Sequence, residues 1–127
     1  LVLSAADRTV EGSTVTTRGT LTGAYALTVT GNAVFGNSSG DDVVLTGTNK
    51  ALAVSGTTTI ETDTVTTSGT QTYSGAVVLG RNTTLTTSGD VITYTNKVNG
   101  YGSRKSNLTI TAGGNTVHIN FDGIVGG

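Results

Sequence analysis

Two nearly identical stretches, TVTTRGT at residues 14–20 and TVTTSGT at residues 64–70, indicate how this chain is built. They lie 50 residues apart and share six of their seven residues. Threonine and valine are β-branched and suit the pleated surface of a strand, and the glycine permits the turn that ends it. A repeat of this kind is typical of a solenoid, in which short strands stack on one another.

The similarity extends to both sides of the quoted stretches. LVLS at residues 1–4 matches LAVS at residues 52–55, and TVE at residues 9–11 matches TIE at residues 59–61. The offset changes by one residue between these two matches, which a single deletion explains. The beginning of the chain is therefore repeated from about Leu52 onward.

A second relation runs at a longer offset. LTVT at residues 27–30 matches LTIT at residues 108–111, and DDVV at residues 41–44 matches DGIV at residues 122–125. Because this offset is longer than the first, we predict an insertion in the second half of the chain, at about residues 71–107. Solenoids tolerate such insertions since each unit contacts only its neighbours.

These relations predict a single repetitive β domain over residues 1–127. It divides into cassettes at about residues 1–51 and 52–127. Val125 stands where Val44 stands in the first cassette, shortly before Leu52. We therefore expect a further cassette to begin just after Gly127, so that the chain is a stretch of a longer tandem array.

A short signature recurs within the cassettes: an apolar residue, Thr or Ala, an apolar residue or Thr, Thr or Ser, and then Gly. It occurs at residues 27–31, 52–56, 65–69 and 85–89. The alternation predicts strands with one buried face, and no segment shows the spacing of an amphipathic helix. Units of about 20 to 25 residues predict an all-β fold, a parallel β-helix of about five to six coils. The alternative is a β-sandwich subunit built from hairpins, which gives no reason for the repeat.

Composition excludes several classes of function. The 127 residues include no Cys, Met, Trp or Pro, and the formal net charge is −1. Disulfides and thiolate metal sites are excluded, and the charge gives no reason to expect a nucleic-acid partner. No apolar run reaches the length of a membrane helix, so we expect no membrane insertion. The chain begins at Leu1 without a signal segment, and we expect a processed or excised piece.

Three segments resemble a known family: TVTTSGTQTYSGAVVLG at residues 64–80, NTTLT at residues 82–86 and FDGIVGG at residues 121–127. They are similar to the repeats of very large bacterial exoproteins related to filamentous haemagglutinin. The resemblance covers the chain from about Gly23 onward and, more loosely, the stretch before it. It implies a right-handed β-helical stalk, secretion to the bacterial cell surface, and a role in adhesion, biofilm or contact between cells. It implies no catalytic residues.

One segment departs from the pattern of these repeats. The stretch YGSRKSN at residues 101–107 is a polar insertion. Tyr101, Arg104 and Lys105 make it a candidate interaction loop for anionic glycans of a host or bacterial surface, or for a neighbouring subunit. The simpler interpretation is a solvated loop. The other partners we expect are neighbouring repeats or identical subunits stacked end to end.

No set of residues predicts an enzyme, a cofactor site or a metal site. His118 is the only histidine, and its alternation with Val117 and Ile119 predicts a surface strand residue. Asp41 and Asp42 are the only adjacent carboxylates, and most carboxylates fall in or beside turns, where Asp binds local backbone N–H groups. A glycan-binding or glycan-cleaving β-helix remains as an alternative that would use this Asp pair or the interaction loop.

Threonine pairs and aromatic residues have two interpretations each. Thr-x-Thr pairs begin at residues 14, 28, 64, 84 and 109. Aligned ranks of such pairs can bind ice, but the spacing between pairs along the chain is uneven, which favours ordinary outward strand positions. The aromatic residues are interpreted as core-filling rather than as a platform for sugars; they are Tyr25, Phe35, Tyr73, Tyr94, Tyr101 and Phe121.

Three sequons are candidate glycosylation sites: Asn37, Asn82 and Asn107 each begin an Asn-x-Ser or Asn-x-Thr sequence. Asn37 and Asn82 lie close to glycines, as turn residues do, and Asn107 ends the polar insertion. We therefore expect all three side chains to face solvent. Chance matches are frequent in a chain this rich in Asn and Thr, so unmodified side chains are the alternative.

Overall fold

A computed structural model describes residues 1–89, 91–102 and 106–113, and the backbone of residues 118–121. This part of the chain contains fifteen β-strands and no helix. Every strand pair in it is parallel. The prediction of a parallel β-helix is confirmed, and the sandwich alternative is wrong because hairpins would pair strands antiparallel.

The strands form three columns that run along the helix axis. Column 1 is a six-stranded parallel sheet. Its members, in order, are β1 (Val2–Leu3), β3 (Leu21–Gly23), β5 (Val43–Leu45), β8 (Thr64–Thr67), β11 (Thr83–Thr87) and β14 (Leu108–Ala112).

Columns 2 and 3 are joined by two long strands, β2 (Arg8–Thr17) and β4 (Leu27–Phe35), which contribute their first halves to column 2 and their second halves to column 3. Column 2 continues through β6 (Leu52–Val54), β9 (Gln71–Tyr73), β12 (Val91–Tyr94) and β15 (His118–Phe121). Column 3 continues through β7 (Thr58–Ile60), β10 (Val77–Leu79) and β13 (Val98–Gly100).

Each complete coil therefore takes one strand, or one half of a long strand, from each column. The described strands make five coils and the first two strands of a sixth, as the sequence predicts. Their stacking is consistent with the right-handed winding that the resemblance implies. Coil length varies: Val2 pairs with Thr22, whereas Thr83 pairs with Leu108, a longer step along the chain. The additional residues lie in the corners between strands, and the register within each column is kept.

Inward side chains of successive coils fill the interior in files. In column 1, one file is Leu21, Val43, Val65 and Leu85, all fully buried. Outward residues between them are half-buried or exposed. This alternation is the physical basis of the fold, because each apolar side chain is covered only when a coil lies above and below it.

A polar cluster interrupts the apolar interior between coils 4 and 5. The Gln71 side chain is fully buried and lies in the same file as Leu52 and Ile92. Its Nε2 donates to the carbonyl oxygen of Thr86 at 2.9 Å, and its Oε1 accepts from the Tyr73 hydroxyl at 2.9 Å. Burying an amide costs little when its donors and acceptor are paired in this way.

The two quoted repeats lie on different columns. Residues 14–17 are in column 3, in the second half of β2, whereas residues 64–67 form β8 in column 1. Likewise, residues 2–3 are in column 1 and residues 52–54 are in column 2. The residues expected as an insertion, 71–107, include β9 to β13, which occupy the next places in the three columns. The sequence repeat therefore marks a local unit, a strand and the glycine turn that ends it. It does not mark the column to which the strand belongs.

Close packing at one corner explains Gly31 and Gly56, which end the signature, and Gly75 at the same corner of the next coil. A Cβ at Gly75 would overlap the backbone of Gly56 in the coil before it, and a Cβ at Gly56 would overlap the backbone of Gly31. Gly31 itself has a φ of 122°, which other residues rarely adopt. Glycine at this corner lets the backbones of successive coils stack directly.

Candidate functional site

The three sequon asparagines are exposed. Asn37 lies in the corner between β4 and β5, where its backbone N–H donates to Asp41 Oδ2 at 3.0 Å. Asn82 precedes β11, and its side-chain Oδ1 accepts from the backbone N–H of Asn107 in the next coil at 2.9 Å. The surface position expected for all three is what the structure shows, and their modification stays a prediction.

The candidate interaction loop lies in the corner between β13 and β14. Tyr101 is 57 % exposed at its start, and Arg104 and Lys105 lie outside the described residues. Ser106, at the other end, donates its hydroxyl to the carbonyl oxygen of Leu79 at 3.1 Å. The structure therefore shows an exposed aromatic side chain beside a corner that is tied to the coil before it.

The adjacent carboxylates do not form a shared site. Asp41 accepts the backbone N–H of Asn37, and this hydrogen bond is the main reason that the pKa of Asp41 is lowered. Asp42 instead lies 3.4 Å from the hydroxyl of Thr62 in the next coil. Each carboxylate thus stabilises its own piece of backbone or side chain, as the turn interpretation expects.

A small charged cluster crosses the first three coils. Asp7 accepts the backbone N–H of Ala26 at 2.9 Å and forms an ion pair with Lys50 at 2.9 Å. The hydrogen bond from Ala26, with the ammonium of Lys50 second, lowers the pKa of Asp7. The Lys50 ammonium lies 5.7 Å from the centre of the Tyr25 ring. Asp7, Tyr25 and Lys50 come from successive coils, so the cluster ties these coils together at the surface.

The aromatic residues do not make a common sugar platform. Phe35, Tyr73 and Tyr94 are buried in the interior, which confirms the core-filling interpretation for these three. The rings of Tyr73 and Tyr94 stack with their centres 5.4 Å apart and their planes 14° from parallel. Burial raises the pKa of both phenols above the ordinary value for tyrosine.

The outward side of column 1 carries a regular array of threonines. The Thr-x-Thr pairs of β8, β11 and β14 lie directly opposite one another: Thr84 pairs with Thr64 and Thr109, and Thr86 pairs with Thr66 and Thr111. Uneven spacing in the sequence, which argued against such an array, does not prevent this alignment. The pairs at residues 14 and 28 lie on other columns.

Within the described residues, no group of three or more His, Asp and Glu side chains is placed to hold a metal ion. His118 lies opposite Val91 in column 2 by its backbone register, and its side chain is outside the description. None of the described residues forms a helix long and apolar enough to cross a membrane. No family model, curated protein or solved structure matches the chain.

Proposed function

We propose that this chain is a structural, non-catalytic segment of the stalk of a secreted bacterial surface adhesin. The observation that carries the proposal is the continuous stacking of three parallel columns through five coils. Among the described residues, nineteen buried hydrophobic side chains form one core cluster that extends from coil 1 to coil 5. A filled, stacked interior of this kind resists bending and suits a spacer.

Such a spacer grows in proportion to its number of coils. Adjacent strands in a sheet lie about 4.8 Å apart, so five coils extend the axis by about 24 Å. Because each coil contacts only its neighbours, more coils add length without a change of design. A stalk of many such segments holds a terminal binding region away from the cell surface.

The first coil supports a longer array. In the described structure, β2 pairs only with β4, so its other edge presents unpaired backbone groups along its length of 10 residues. Leu1 and Val2 are 63 % and 67 % exposed, and Val10 and Val15 are only partly buried. A further coil stacked on this edge covers these apolar side chains and pairs the open backbone groups.

The resemblance of residues 64–80 to haemagglutinin-like repeats supports the surface location and the role in adhesion. Antibodies raised against the purified chain test that location on intact cells that produce it. Labelling of unbroken cells is the expected result. Labelling that appears only after the cells are lysed would reject secretion to the surface.

A covalent tandem of two copies tests the stalk itself. We expect small-angle scattering to give a single rod about twice as long, because the second copy covers the open edge of the first. Thermal unfolding should also move to higher temperature, since the junction buries additional apolar surface. Two separate particles on a linker, with unfolding unchanged, would show that the ends do not stack.

The open edge of β2 also favours a second candidate, a self-assembling filament subunit. Identical subunits stacked head to tail would cover the same edge without a covalent link. Light scattering over a wide concentration range separates the two: growth of mass with concentration supports the subunit. A monomer at every concentration, together with a rod-like tandem, supports the stalk segment.

A further inference from the structure

The threonine face is the outward side of column 1 at β8, β11 and β14. Its six hydroxyl-bearing side chains form a grid of two files and three ranks; they are Thr64, Thr66, Thr84, Thr86, Thr109 and Thr111. The step along the chain from Thr86 to Thr111 is longer than the step from Thr66 to Thr86, yet both pairs are register partners. The longer corner between β13 and β14 accommodates most of the difference.

The threonines of this face are exposed in its last rank, at Thr109 and Thr111, and half-buried in the other two ranks. Inward threonines use theirs within the protein: Thr67 and Thr87 both donate to the carbonyl oxygen of Gly69, at 2.7 and 2.6 Å. The six outward hydroxyls make no hydrogen bond to any other described residue. Each threonine is also β-branched, so its methyl and hydroxyl groups are held in few orientations.

Strand geometry gives the grid two regular spacings. Neighbouring strands place partners about 4.8 Å apart along the axis, and residues two apart on one strand lie about 6.7 Å apart. Both distances are close to oxygen repeats on the surfaces of hexagonal ice. We propose that the threonine face binds ice, by ordering its first layer of water into an ice-like arrangement that joins the crystal.

Beyond the grid, the first file leads from Thr64 to Asp42, whose carboxylate lies 3.4 Å from the Thr62 hydroxyl, and the second file continues without a charge. This second file runs from Thr66 to Val44 and Thr22 in the preceding coils, so that it keeps a β-branched methyl at every step. Charged groups would hold water in orientations that do not fit ice, and the described strands of column 1 carry none.

Two other occupants fit this face less well. A sugar ring stacks on aromatic side chains, and none lies at an outward position of these strands. A second copy packed against the grid would remove six hydroxyls from water without offering fixed partners, which costs free energy for each of them. Ice offers hydrogen-bond partners at the spacing of the hydroxyls.

Inhibition of ice recrystallisation by the purified chain, together with its uptake into a slowly growing ice front, tests the proposal. A Thr86→Tyr variant places a bulky ring at the centre of the grid. We expect the lowest inhibiting concentration to rise about tenfold or more, which corresponds to a loss of about 1.4 kcal/mol in binding. The matched control is Thr72→Tyr, at a half-buried outward position of column 2.

Circular dichroism and the unfolding midpoint establish that each variant is folded. If Thr86→Tyr does not fold, Thr109→Lys on the exposed last rank replaces it, with the same expected loss. No effect of the unaltered chain on ice, beyond that of an unrelated protein at equal concentration, would overturn the proposal. An equal loss of ice inhibition in the Thr72→Tyr control would also overturn it. A dimer formed through column 1, which Thr86→Tyr disrupts while the effect on ice growth is unchanged, would do the same.

Discussion

Replacing Gln71 by leucine tests whether its polar contacts hold coils 4 and 5 together. The change is apolar and similar in size, and leucine already occupies the partner position in coil 3, Leu52. What it removes is the acceptor of the Tyr73 hydroxyl, 2.9 Å away, and the donor to the carbonyl oxygen of Thr86. Both tyrosine and glutamine side chains are fully buried, so water cannot take the place of the lost partner.

The expected loss of stability follows from the buried polar group that each variant leaves without a hydrogen-bond partner. A buried hydroxyl without a partner costs about 1–3 kcal/mol, so Gln71→Leu should lower the free energy of unfolding by that amount. For a chain of 127 residues, about 1 kcal/mol corresponds to a fall of about 4 °C in the melting temperature. Tyr73→Phe leaves the Gln71 Oε1 unpaired and should cost about 1–2 kcal/mol.

The double variant, Gln71→Leu with Tyr73→Phe, decides between this account and a simple loss of packing. It removes both partners, so no polar group of the pair is left unsatisfied, and its cost should be at least about 1 kcal/mol less than the sum of the single changes. Urea unfolding of all four proteins measures the coupling. Costs that add to within about 0.5 kcal/mol would refute the reasoning.

Three further changes test the core, the corners and the response to pH. Thr58→Val should raise the free energy of unfolding, measured by urea unfolding, by about 1–2 kcal/mol, because the buried Thr58 hydroxyl has no hydrogen-bond partner. Thr67→Val is the control: it removes a paired hydroxyl and should lower the free energy of unfolding. Gly75→Ala should lower the free energy of unfolding by about 1–3 kcal/mol, because the added Cβ would meet the backbone of the neighbouring coil. An unchanged melting temperature would contradict this. Gly40→Ala is the control, since a Cβ at Gly40 has open space around it. Above about pH 10, the buried Tyr73 should lower the free energy of unfolding by about 1.4 kcal/mol per pH unit. The reason is that its phenol ionises in the unfolded chain, while burial keeps it neutral in the folded protein. Tyrosinate absorbance from Tyr73 that appears before unfolding would contradict this.

Which face of a strand is buried could be predicted from the sequence, because alternation has a period of two residues. Leu52 and Val54 are buried, and Ala53 between them is half-buried. Which column a strand joins could not be predicted in the same way. All three columns bury the same kinds of side chain, so the signature at residues 27–31 and the one at residues 65–69 look alike although they belong to different columns.

The buried polar cluster had no signal in the sequence. Gln71 follows a threonine and precedes another, as outward strand residues do, and its inward position depends on the register with Leu52 and Ile92. A glutamine becomes acceptable at that place only because Tyr73 and the carbonyl oxygen of Thr86 complete its hydrogen bonds. Such complementarity involves two coils and is not a property of any local stretch.

The threonine face shows why the distance between two residues along a repetitive chain is a poor guide to their alignment. The corner between β10 and β11 contains residues 80–82, whereas the corner between β13 and β14 contains residues 101–107, the polar insertion of the sequence. Because that insertion lies wholly in a corner, it lengthens the coil without moving β14 out of register with β11. The segment that departs most from the repeat therefore lengthens the last step of the array, from Thr86 to Thr111, and the rank of Thr109 and Thr111 is aligned in spite of it.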